Sequence, residues 1–342
     1  MPGSDGFPKR VIRLPIYKNL SGSVEMHWLS GILTISFLAP IFAGGGAARA
    51  GSLFGPATAF NRTCNVLALS GGGSFGAVQG GILEGLLESQ SVPASYDVIT
   101  GISAGGLNAG FLSYFANISS GLPALHTILS GLTTGSVYKN GILNVLSDWS
   151  IYDNSPLGAT LAGVIDGKTT ASGAPITLIG ATNVNSELLD VWRFDLLDAA
   201  DRVDVLMATS AIPLAFPPRA INGSYYVDGG VINNEMITQA MGYVSCSAYN
   251  VVFVSASSRG GRQEINGLFS YLSGVGHVLL DTFDYQLAQF ENVRCPYPRG
   301  GITACFPTAT ALEGYSILNF DYGSELWELG RGAYNCTQFE IC

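Results

Sequence analysis

The sequence predicts an α/β fold with a mainly parallel central sheet covered by helices on both faces. Three observations carry this reading. Short, wholly apolar runs alternate along the chain with helically spaced segments; parallel strands buried on both faces are apolar throughout, without polar alternation. Two of these runs end in glycine-rich turns. Hydrophobic residues make up 47% of the 342 and charged residues only 12%, enough apolar material for one large core.

The elements follow in order. Asn65–Ser70 is a strand that ends in Gly71-Gly72-Gly73, and residues 77–90 carry Val78, Ile82, Leu83, Leu86 and Leu87 at helical spacing. Val98–Thr100 is a strand and Gly106–Phe115 a helix. Ile176–Ala181 and Leu188–Phe194 are strands, and Val203–Ala208 is a helix that stops before Pro213. Tyr225–Val227 and Val251–Ser255 are strands, and Phe269–Phe290 has helical spacing. Ile317–Phe320 as a strand and Glu325–Gly332 as a helix close the chain. There is no internal repeat and no second composition regime, so one domain covers 64–342 after a Gly/Ala/Pro linker over 51–63.

Residues 1–50 have the order of a targeting segment. Lys9, Arg10, Arg13 and Lys18 precede an uncharged stretch from Trp28 to Ala48, and Ala48-Arg49-Ala50 fits a small-x-small cleavage site. A signal peptide or a retained signal anchor is expected, with membrane association through 28–48 in the second case and the main domain in the secretory pathway, secreted or anchored on the lumenal side. Sequons at Asn19, Asn61, Asn117, Asn222 and Asn335 and an even count of six cysteines suit that compartment. Sequence proximity suggests Cys295–Cys305 and Cys336–Cys342 bridges, leaving Cys64 for Cys246. Sixteen basic against 25 acidic residues give a net charge of −9, so nucleic acid is excluded as a partner. Three histidines and no Cys-x-x-Cys predict no metal site and no cofactor.

Two stretches match Gly-x-Ser-x-Gly, the pattern of a serine on a sharp strand-to-helix turn: Gly72–Gly76 with Ser74 and Gly101–Gly105 with Ser103. Gly71-x-Gly73-x-x-Gly76 also fits a dinucleotide fingerprint. That reading needs an acid at the far end of the second strand, but Asp97 precedes Val98 and lies at the wrong edge. Acyl transfer accounts for both loops together. Ser103, with small neighbours Ala104 and Gly105, is the nucleophile, and the bare amides of Gly71, Gly72 and Gly73 are oxyanion donors at a helix start. Asp228, just after a strand and followed by Gly229-Gly230, is the base. His277 follows Asp228 in triad order but sits within a helical run, which favours a structural role. Leu107, Phe111, Leu214 and Phe216 are candidates for an acyl pocket, with ordinary core packing as the alternative.

Taken together, Ser70–Gly73, Gly101–Gly105, Ala208–Pro218 and Asp228–Gly230 resemble the patatin-like phospholipases. The resemblance implies a three-layer α/β/α fold and a Ser103–Asp228 dyad without histidine. It also implies a lipid acyl-ester substrate and metal-independent hydrolysis. An acyltransferase with the same dyad and a non-catalytic storage or binding relative share the fold. The sequence departs from the family's glycine loop at two places, with Ser70 where an Asp is usual and Phe75 where an Arg is usual.

Overall fold

The computed structural model describes residues 11–12, 58–140, 149–258 and 300–341. Nine strands and seven helices position the site. They run β1 (Thr58–Leu69), α1 (Gly76–Glu88), β2 (Val98–Gly101), α2 (Ser103–Leu112), α3 (Ile118–Gly131), α4 (Ser155–Ile165), β3 (Ile176–Asn183) and β4 (Leu188–Arg193). They continue through α5 (Ala199–Thr209), β5 (Arg219–Ile221), β6 (Ser224–Asp228), α6 (Ile237–Tyr243), β7 (Val244–Val254), β8 (Gly300–Pro307), α7 (Gly323–Gly332) and β9 (Tyr334–Ile341).

The sheet runs β4-β3-β2-β1-β7-β8-β9, and Val11–Ile12 pairs on β4 at its outer edge. The five central strands, β3 to β8 in that order, are parallel. β4 and β9 flank them antiparallel. The expected mixed, mostly parallel α/β architecture is therefore present. Its cause is visible in the strands: Leu67 and Leu69 face a core shared with α1, α2, α3, α5 and α7, while Val66 and Ala68 face a second core shared with α6. Successive residues point to opposite faces, so a strand buried on both must be apolar at every position.

β6 determines the position of the site. β2 pairs Val98–Gly101 with Ile176–Ile179 of β3. β6 pairs Asp228, Val227 and Tyr226 with Ala181, Thr182 and Asn183 of the same strand. Because β4 occupies the other flank of β3, β2 and β6 lie end to end on one flank and run toward each other. Their carboxyl ends meet, and these ends carry Ser103 and Asp228.

Several expectations are corrected. Residues 58–63, read as linker, form the first half of β1 and pair alongside β7. Ile317–Phe320 is a succession of turns, not a strand; the closing strands are β8 and β9, whose polar, exposed outer positions mask the pattern of β9. The Cys295–Cys305 and Cys336–Cys342 pairings give way to a Cys305–Cys336 disulfide with a Cα–Cα distance of 4.1 Å. These two residues are cross-strand partners in the β8–β9 register, so strand pairing, not closeness in sequence, selects them. Cys64–Cys246 forms as expected and ties β1 to β7. The 269–290 helix, His27, His277, Cys295, Cys342, Asn19 and residues 13–57 lie outside the described residues.

Candidate active site

Ser103 is the first residue of α2, directly after β2 and Ile102. Its φ is +52°, a left-handed conformation that a serine adopts only when its surroundings impose it. Two contacts do so. The Ser103 N–H donates to Thr209 Oγ1 at 2.9 Å, and Thr209 Oγ1 in turn donates to the Gly180 carbonyl at 2.6 Å. The turn is also crowded: a Cβ on Gly105 would lie 2.3 Å from the Leu69 carbonyl oxygen. Only glycine fits there, which is why the Gly-x-Ser-x-Gly spacing ends on one.

Asp228 ends β6 and is 1% exposed, as is Ser103. Its backbone N–H donates to the Ala211 carbonyl at 2.9 Å, and its Oδ1 accepts from Gly230 N–H at 2.9 Å. Among the described residues, Oδ2 is buried without a hydrogen-bond partner. Burial pushes the carboxyl up to about 7; the Ser103 hydroxyl and Gly230 N–H draw it partly back down. The Ser103 hydroxyl thus lies close enough to lower the pKa of this carboxyl, as a nucleophile beside its base does. A carboxylate whose pKa lies near 7 is a stronger base than an exposed Asp, and its ionised form beside a serine at a strained turn can take the serine proton near pH 7.

The glycine loop lies between β1 and α1. Gly71 N–H is occupied, donating to Asn234 Oδ1 at 2.7 Å. Gly72 and Gly73 N–H make no hydrogen bond among the described residues. Two of the three expected oxyanion donors are thus available, and the third serves as the loop's anchor. Gly73 has φ +58°, and a Cβ there would strike the Ile317 carbonyl oxygen at 2.2 Å. The Ser74 N–H and Oγ donate to the Ile317 and Ser316 carbonyls at 2.8 and 2.9 Å, which leaves Ser103 as the serine that faces Asp228. Ser70, where the family has Asp, accepts the Ala256 N–H at 2.9 Å and donates to the Gly71 carbonyl at 3.0 Å. Phe75, where the family has Arg, is a core side chain with 1% exposure.

Beneath the loop, Gln79 Nε2 donates to the carbonyls of Val254 and Ser70 at 2.8 and 3.2 Å, and Asn108 Nδ2 donates to Gln79 Oε1 at 3.0 Å. A narrow groove with about 30 Å³ of room, open to solvent, runs from Gly73 and Ala104 between α1, α2, α3 and the start of α7; Leu107, Leu129, Leu132 and Phe320 supply its apolar wall. Of the expected acyl-pocket residues only Leu107 lines it. Phe111 and Phe216 belong to the core, and Leu214 stands 59% exposed. A long apolar side chain alone does not tell pocket from core or surface. Asp97, the residue a dinucleotide would need, lies at the far edge of the sheet and is held by Arg62 and the Asn65 N–H. Among the described residues no cluster of His, Cys, Asp and Glu suited to a metal occurs, and His126 stacks on Trp327 at 4.6 Å.

Comparison with known proteins places these features in context. No curated protein matches the chain in sequence. Fifteen solved chains match, among them two at a low level of similarity. VipD from Legionella pneumophila has 12% identity and a TM-score of 0.37, over 81% of this chain and 68% of that one. The human GIVD cytosolic phospholipase A2, solved in complex with methyl gamma-linolenyl fluorophosphonate, has 10% identity and a TM-score of 0.37, over 79% of this chain and 57% of that one. The model of the patatin-like phospholipase family matches residues 67–241. That span begins in β1 before the glycine loop and ends in α6 after Asp228, and it contains Ser103, Thr209 and Asn234. The chain belongs to the patatin-like phospholipase family.

Proposed function

We propose that this chain hydrolyses lipid acyl esters through a Ser103–Asp228 dyad. The supporting observation is the meeting of β2 and β6 on β3, which puts a serine with φ +52° against a buried carboxyl raised to about 7. Asp228 accepts the Ser103 hydroxyl proton as Oγ attacks the ester carbonyl. The negative charge that develops on the carbonyl oxygen is met by the Gly72 and Gly73 amides at the start of α1. The C–O bond to the alcohol breaks, and the alcohol leaves with the proton held by Asp228. Water then attacks the acyl-serine, gives its proton to Asp228, and releases the fatty acid with the Ser103 hydroxyl restored. The cavity beside Ala104 and Leu107 receives the acyl chain, and the alcohol portion faces the other way.

The reading is tested with Ser103→Ala and Asp228→Asn. Each is expected to lower ester hydrolysis by about three orders of magnitude or more, while Ser74→Ala retains activity. A fluorophosphonate is expected to label Ser103. Labelling at Ser74, or full activity in Ser103→Ala, would overturn it. Chelators are expected to leave the rate unchanged.

We also propose that residues 1–50 direct export and that the acyl hydrolase domain takes in 58–342, since 58–63 open β1. Disulfides at Cys64–Cys246 and Cys305–Cys336 suit an oxidising compartment. An expressed product whose sequence begins near Gly51 supports cleavage; a soluble, uncleaved cytosolic product with free thiols argues against export.

A further inference from the structure

Four large apolar side chains stand exposed at the end of the sheet where Asp228 lies. Trp149 is 58% exposed, Leu214 59%, Val184 50% and Tyr225 43%. They form one surface. The Trp149 and Tyr225 rings meet edge to face at 5.6 Å. Val184 N–H donates to the Tyr225 carbonyl at 2.9 Å, and Ile151 N–H donates to the Leu214 carbonyl at 2.9 Å. Val184 directly follows β3 and Tyr225 lies in β6, three residues before Asp228. Leu214 is three residues past Ala211, whose carbonyl accepts the Asp228 N–H. The surface is thus built from the segments that hold the candidate base.

Two of the four sit on strained backbone. Trp149 has φ +57° and Leu214 +68°, conformations that cost little for glycine or asparagine and more for bulky side chains. A chain under pressure only to fold and stay soluble would carry a small polar residue at each. Here strain and exposure fall together on the two most hydrophobic members of the surface, and contiguous exposed apolar groups on a soluble face mark a binding surface. Trp and Tyr, apolar in the ring with a polar handle, are the side chains that settle where lipid meets water.

The geometry points to this surface as the part of the chain that seats on a lipid–water interface, bringing the end of the sheet with Ser103 and Asp228 to the esters there. The inference rests on the acyl-hydrolase reading for its substrate. The charge selects the kind of interface. The four side chains are uncharged and the chain carries −9 overall, so an anionic bilayer repels it and a zwitterionic or neutral one does not. Entry of the apolar side chains supplies the attraction.

The test uses the full chain with vesicles of brominated phosphatidylcholine. Trp192 and Trp327 are fully buried, and every protein compared carries Trp28→Phe, so quenching that disappears in Trp149→Phe reports insertion of Trp149 itself. Trp149→Ser combined with Leu214→Asn is expected to weaken hydrolysis of vesicle phosphatidylcholine by about tenfold while hydrolysis of a monomeric short-chain nitrophenyl ester stays unchanged. Leu214→Asn alone is expected to keep or raise the melting temperature, since asparagine accepts the left-handed backbone. Unquenched Trp149, an equal loss on both substrates, or quenching that requires phosphatidylserine would overturn the inference. A wild-type dimer that the double variant splits would assign the surface to a second copy of this chain instead. A chain that inserts Trp149 but hydrolyses neither substrate refutes the acyl-hydrolase reading and leaves the docking surface standing.

Discussion

Asn234 Oδ1 accepts the Gly71 N–H at 2.7 Å across 163 residues of chain. Both groups are buried. The bond links the loop after Asp228 to the loop of Gly72 and Gly73, whose amides are unbonded among the described residues, so on the proposed mechanism the side holding the base also fixes the position of the oxyanion donors. Asn234→Ala leaves a buried N–H unsatisfied, which costs about 1–3 kcal/mol, and releases the loop at its first glycine. The expected result is a fall in kcat of about ten- to a hundredfold with KM for a short ester little changed. The rate of fluorophosphonate labelling falls in parallel, because the same amides hold the charged oxygen. A folded Asn234→Ala protein with unchanged kcat would show that the bond is only structural.

Asp228 gives a pH dependence of defined sign in both rate and stability. The base works only when deprotonated, so kcat/KM is expected to rise with pH through about 7 and then level off. Stability runs the other way. The folded-state value lies above the ordinary Asp value, so between pH 4 and 7 the folded protein holds a proton that the unfolded chain has lost. Stability contributed by that proton is present at pH 4 and is lost as pH rises through about 7, by an amount on the order of 4 kcal/mol. Asp228→Asn removes the titration. It is expected to be inactive, yet to melt higher than the wild type at pH 8 and to lose that advantage at pH 4. Equal melting temperatures of the two proteins at every pH would show that the carboxyl is not held near neutrality.

What the sequence revealed of this site and what it hid have different physical origins. Ser103, Asp228 and the glycines are legible because each stands at a tight turn after a strand, and a tight turn constrains residues a few positions apart. Thr209 and Asn234 are not, because their work is done by hydrogen bonds to residues 106 and 163 positions away. Thr209 lay inside the Ala208–Pro218 segment that carries the family resemblance, but its hydroxyl's role appears only when β3 and α5 pack. The central strands were legible through their unbroken apolar runs. β9 was not, since its polar outer face lacks one, and with it the Cys305–Cys336 pair was lost. Leu214 misled in another way. Hydrophobicity near a site pointed inward, while a left-handed backbone turns the side chain out to solvent.

The cavity beside the nucleophile gives the prediction on chain length. Ala104 follows Ser103 directly, Gly73 carries a free oxyanion amide, and Leu107 lies one helical turn beyond Ala104 on the same wall. On the proposed mechanism, a tetrahedral centre on Ser103 with its oxygen at Gly73 is expected to direct its acyl substituent along α2 toward Leu107, Leu129 and Phe320. The polar side chains of the wall are already engaged: Ser74 Oγ donates to the Ser316 carbonyl at 2.9 Å and Asn108 Nδ2 to the Gly76 carbonyl at 3.0 Å and to Gln79, so a hydrocarbon chain strands neither. Leu107 is only partly buried, so a larger side chain fits with the cavity, not the core, as the space it fills. Leu107→Trp is expected to reduce hydrolysis of a long-chain nitrophenyl ester at least about tenfold relative to the acetate, since each methylene kept in water forfeits about 0.8 kcal/mol. The acetate rate itself should hold, because Ser103, Asp228 and the glycine loop are untouched. Parallel kinetics on esters of increasing length decide the matter. An equal loss at every length would mean that the tryptophan disturbs the dyad, and no loss at any length would place the acyl chain elsewhere.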